Sequence, residues 1–81
     1  PHQQKGCRMF TTVKNLTLLM DKNIQYVTEA KEHHECSEVE YQDYMESMEY
    51  MLDKQLNRLK QTSTNNKLIQ DYQNKIFALF D

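Results

Sequence analysis

Tryptophan is absent from this sequence, and glycine and proline occur once each, as Gly6 and Pro1. From residue 7 to residue 81 nothing strongly breaks the backbone. Turns that need positive φ usually recruit Gly, and β-hairpins lean on Asn-Gly or Asp-Gly; neither dipeptide occurs. The absences predict helix rather than strand. Apolar residues are also scarce, at 38% of 81, so the chain holds one domain at most, burying only about 60% of its unfolded surface. No apolar run exceeds five residues, which excludes a bilayer span. A net charge of −2 leaves no basic footprint for nucleic acid or an anionic membrane.

Cysteine is nearly absent too. Cys7 and Cys36 are too few for a disulfide framework, which leans toward an intracellular protein. The first residues lack a charged-then-apolar leader, and a start at Pro1 fits removal of an initiator Met or excision from a longer chain. A rival reading is a secreted helical ligand, with Cys7 bonded to Cys36 and the acceptor triplet Asn15-Leu16-Thr17 glycosylated.

What is present is helical spacing. Residues 1–8 are polar and aperiodic and read as a flexible arm. Met9, Val13, Leu16, Met20, Ile24 and Val27 then recur every three or four residues, with Thr11 or Thr12 placed to cap the start. Tyr41, Tyr44, Met45, Met48, Leu52, Leu56 and Leu59 form a wider stripe, Met51 on its flank, backed by Gln42, Asp43, Glu46, Glu49, Asp53 and Asn57. Leu68, Ile69, Tyr72, Ile76, Leu79 and Phe80 make the third. Ser37-Glu38-Val39-Glu40 has the form of a capping box, and the polar run 61–66 favours a turn. Helices of about 11–35, 38–60 and 66–80 follow, as an all-α antiparallel bundle of three helices.

A continuous heptad frame competes with this. It runs from Met9 to Leu79, with Val13, Met20, Val27, Tyr41, Met48, Ile69 and Ile76 among its a positions. Fourteen of its 21 core positions are apolar, which would suit a long-helix coiled-coil oligomer. The flanking e and g positions argue against two strands, because Leu19, Ile24, Tyr26, Met45, Leu52, Leu59, Leu68 and Phe80 occupy them. So many apolar flanks want a third or fourth helix.

Charge is segregated along the chain. Nine of the twelve acids lie between Glu29 and Asp53 with one base, Lys31, whereas residues 54–75 carry five bases and one acid. Antiparallel neighbours would set acid against base at about 0.2–1 kcal/mol per exposed pair. That selects orientation without creating stability.

Chemistry finds little purchase. His33-His34-Glu35-Cys36 has metal-ligand residue types, but zinc needs four ligands and no second pair follows; a small metal-binding bundle is a further rival. The same histidines, among Glu29, Glu32, Glu35 and Glu38, could sense pH. Cys36 beside His33 is surrounded by acids, which disfavour a thiolate, so no catalysis and no cofactor are expected.

The expected function is therefore a protein-protein interaction or oligomerisation module, its partner a second copy or another helical protein, with a homo-oligomer favoured. The candidate contact residues are Tyr41, Tyr44, Met45, Met48, Met51 and Leu52 on the Met- and Tyr-rich stripe, although core packing is the plainer account of a stripe at helical spacing. Ile76, Phe77 and Phe80 join them at the apolar C-terminus. Tyr50 stands apart: it falls on the polar face beside Glu46, Glu49 and Asp53, where no core explains it, as a contact or phosphoacceptor.

Overall fold

The computed structural model contains three helices in chain order: α1, His2–His33; α2, Glu38–Thr62; and α3, Asn66–Phe80. Residues 13–33 and 35–81 are described; residues 1–12 and His34 are not. The arm expected at 1–8 therefore lies outside the described residues, as do Met9 and Cys7.

Both connections follow from local chemistry. Ser37 caps α2: its Oγ accepts from the Glu40 N–H at 3.2 Å, and the Glu40 carboxylate accepts from the Ser37 N–H at 3.4 Å. This reciprocal box satisfies two backbone donors that the helix itself leaves open. At the second break Ser63 adopts extended φ/ψ of −128° and 145°, and its N–H still reaches the Leu59 carbonyl at 2.9 Å. Asn65 then starts α3, its Oδ1 accepting from the Leu68 N–H at 3.2 Å. No described residue has positive φ. Extended corners and side-chain caps reverse the chain, which is why it turns twice without glycine.

The same breaks remove the continuous-helix alternative. The heptad frame is interrupted at 35–37 and at 63–65, so its polar members Ser37 and Asn65 cap helices and Thr62 ends α2.

Two long-range contacts fix the topology. The Tyr72 hydroxyl donates to Asp21 Oδ1 at 2.8 Å, and Lys31 Nζ donates to the Leu79 carbonyl at 2.8 Å. Advancing along α1 from 21 to 31 thus advances along α3 from 72 to 79, so those two helices are parallel. α2 runs back against both, giving an up-down-up bundle with dimensions of 47 × 28 × 16 Å. Lys31 also places a cation at the C-terminus of α3, where the last carbonyls carry partial negative charge.

Leu16, Met20 and Val27 from α1, Met48, Leu52, Leu56 and Leu59 from α2, and Tyr72 and Ile76 from α3 form one core. Met20, Val27, Leu52 and Leu59 are fully enclosed, each contributing about 1.5–3 kcal/mol of transfer free energy. Val13, Ile24, Met45, Leu68, Ile69, Leu79 and Phe80 close its edges.

Candidate interaction surface

The bundle divides the sequence candidates in two. Met48, Leu52 and Ile76 are core, and Tyr41, Met45 and Phe80 are half-buried. What these six gain from burial is taken up largely within the chain. Tyr44, Tyr50, Met51 and Phe77 remain exposed.

The exposed candidates do not share one place. Phe77 lines a shallow groove between α2 and α3 with Asp53, Leu56, Asn57, Lys60 and Gln73. Tyr50 lies on α2 with the Lys54 ammonium 5.1 Å from its ring centre, a cation–π contact in the exposed range of about 0.5–1 kcal/mol. Met51 faces α1.

That last contact defines a groove. Asn23, the one buried polar residue described, donates through Nδ2 to Gln55 Oε1 at 3.1 Å and approaches Met51 Sδ at 3.4 Å. The floor between α1 and α2 is therefore polar but satisfied: no buried side-chain N or O among the described residues lacks a partner. Leu19 lies one turn before Asn23 and Tyr26 one turn after it, on the same edge of α1. Tyr44 is two turns before Met51 on the facing edge of α2. The four are 49%, 53%, 38% and 42% exposed in the order Leu19, Tyr26, Tyr44, Met51. Beside them a hollow is lined by Ser47, Tyr50, Met51, Lys54, Gln55 and Arg58. Leu19 and Tyr26 were visible in sequence only as apolar residues at e and g positions; Asn23 and Gln55 gave no signal beyond being polar in the heptad seam.

On the α1–α3 side the Tyr72 hydroxyl meets Asp21 and, at 3.4 Å, the Thr17 carbonyl. Burial pushes the Tyr72 pKa up to about 12, with the bond to Asp21 and its negative charge adding to the rise. The group is a neutral donor holding two helices together.

Among the described residues, the cluster at the end of α1 does not converge. His33 is exposed, 3.8 Å from an exposed Glu32 carboxylate, and Cys36 is exposed beyond the helix end. His34 lies outside the described residues. No group of three or more His, Cys, Asp or Glu among the described residues is placed to hold a metal ion. The glycosylation triplet sits within α1 with Leu16 buried in the core and the Thr17 hydroxyl bonded to the Lys14 carbonyl at 2.9 Å. The acceptor Asn15 itself is exposed. Among the described residues, no helix is long and apolar enough to cross a membrane. Comparison with known proteins finds no matching family model, no matching curated protein and no matching solved structure.

Proposed function

We propose that this chain is a non-catalytic protein-binding module, in which the α1–α2 groove receives an amphipathic helix of a partner protein. The observation that carries the reading is the exposure of Leu19, Tyr26, Tyr44 and Met51, which helical spacing places along the edges of α1 and α2 that flank the Asn23–Gln55 contact. Scattered apolar residues on a surface need no explanation, but a contiguous strip marks an interaction site. A helix laid in the groove would add its apolar face to that strip, the usual mode of helix-in-groove recognition. The bundle's own core is complete without it, so the chain can fold first and bind afterwards.

Panning a display library of amphipathic helical peptides against the folded chain tests this. Selected peptides should carry apolar residues at i, i+3, i+4 and i+7, and lose affinity at least about tenfold against Met51→Lys. They should bind Phe77→Ser as well as wild type. Failure to enrich such peptides, or equal binding to Met51→Lys, would reject the groove as the site.

A further inference from the structure

We infer that the α1–α2 face, with its exposed strip, is covered by the same face of a second copy of this chain, docked antiparallel about a two-fold axis with helix upon helix across the paired grooves. This rests on the groove being the docking surface and adds the identity and direction of what docks.

The fold turns a linear charge pattern into two poles. Because α3 is parallel to α1, residues 25–49 and 76–81 lie at one end of the rod, with nine acids and one base. Residues 13–24 and 50–75 lie at the other, with seven bases and three acids. A parallel second copy would set acid against acid at one end and base against base at the other. An antiparallel copy sets acid against base at both ends.

The groove repeats this pattern on its own lips. On α1, Lys22 and Glu29 are two turns apart on the outer edge, either side of Tyr26; on α2, Arg58 and Glu40 flank the strip that contains Tyr44 and Met51. All four charged residues are exposed. The midpoint of Lys22 and Glu29 falls between Gln25 and Tyr26, and that of Arg58 and Glu40 falls at Glu49. These points are nearly level, since Asn23 is held against Met51 and Gln55. A two-fold axis through that level, lying in the plane of the contact and across the rod, stacks α1 on the copy's α1 and α2 on its α2. Lys22 then faces the copy's Glu29, Arg58 faces its Glu40, and the apolar strips meet in the middle. Such an isologous contact needs only one self-complementary patch.

The apolar strip offers roughly 400 Å² at these exposures, taking about 150–250 Å² for each large side chain. A standard interface takes about 800 Å² from each partner, so the charged lips must supply the rest and set the direction. A dimer of moderate strength is the result, and charge should control it.

Sedimentation equilibrium of the full chain under reducing conditions, from micromolar to near-millimolar concentration, reads the proposal. Wild type should dimerise. Lys22→Glu turns two attractions into two repulsions and should weaken the dimer about tenfold or more, and adding Glu29→Lys on the same chain should restore it. That rescue is specific to the antiparallel arrangement, because a parallel two-fold runs along the rod, lays α1 on the copy's α2 and sets Lys22 by its basic Lys54 and Arg58 end, where Lys22→Glu would strengthen the dimer. Circular dichroism of each variant confirms that the exposed substitutions leave the helices intact. Glu40 is left alone because it belongs to the capping box. A monomer at every concentration overturns the second copy as occupant, while leaving the peptide selection free to succeed. A dimer that ignores Lys22→Glu and Met51→Lys overturns it as well, by placing the contact elsewhere.

Discussion

Removing one oxygen atom, in Tyr72→Phe, should give a stability difference that changes sign with pH. At neutral pH the variant loses the 2.8 Å bond to Asp21 and the weaker one to the Thr17 carbonyl. Asp21 is exposed and regains water, so the cost should be about 1 kcal/mol. Alkaline conditions reverse the ranking. The folded pKa of Tyr72 is raised from 10.0 to about 12, so the neutral phenol's contribution is fully present below pH 10 and is lost as pH rises toward 12. That rise corresponds to roughly 3 kcal/mol in total, of which about half is already lost at pH 11. Wild type should therefore be the more stable near pH 8, equal to the variant close to pH 11, and the less stable above it. Urea unfolding followed by far-ultraviolet circular dichroism at half-unit steps supplies the curves, and the difference between the proteins cancels other titrating groups. A gap that stays constant from pH 8 to 11.5 would refute the buried, bonded phenol.

Other expectations follow from packing and caps. Leu52 is fully enclosed, so Leu52→Ala should cost about 2–5 kcal/mol. That is a large share of the roughly 4–12 kcal/mol open to a chain of this length, so thermal unfolding should show a steep loss, whereas Leu18→Ala on the outer face of α1 should stay within about 0.5 kcal/mol. Ser37→Ala removes the capping-box oxygen and should cost about 1 kcal/mol, read by urea unfolding. Asn23→Leu alone strips Gln55 Oε1 of its donor and should lower the melting temperature, whereas Asn23→Leu with Gln55→Met should hold it; a double variant as unstable as the single one would show that the Asn23–Gln55 bond carries net stability.

The helix breaks were legible because they are chemical. A Ser three residues before a Glu, and six polar residues in a row, compete directly for backbone groups. The all-α class was equally open to view, through the missing glycine and the period of the stripes. Less legible was which edge of each stripe would be covered. Tyr44 and Met51 carry the same spacing signal as Met48 and Leu52, yet one pair stays exposed while the other is core. Periodicity gives the direction of a face but not its width, and the width depends on how many helices close around it. Asn23 inverts the problem: a polar residue in a seam reads as a weakness until Gln55, thirty-two positions on, is seen to satisfy it. The register of α3 against α1 was invisible, since it depends on Tyr72 meeting Asp21 and Lys31 meeting the end of α3.

The groove itself is most directly tested by methyl resonances of the methionines, labelled at the terminal carbon. Met51 lies on the groove, while Met20 and Met48 are buried in the core. On raising the concentration of the chain, or on adding a selected helical peptide, the Met51 methyl should shift and broaden while Met20 and Met48 hold their positions. A Met51 signal that stays fixed while association proceeds would contradict the docking surface, and movement of Met20 and Met48 would show that binding reopens the core instead.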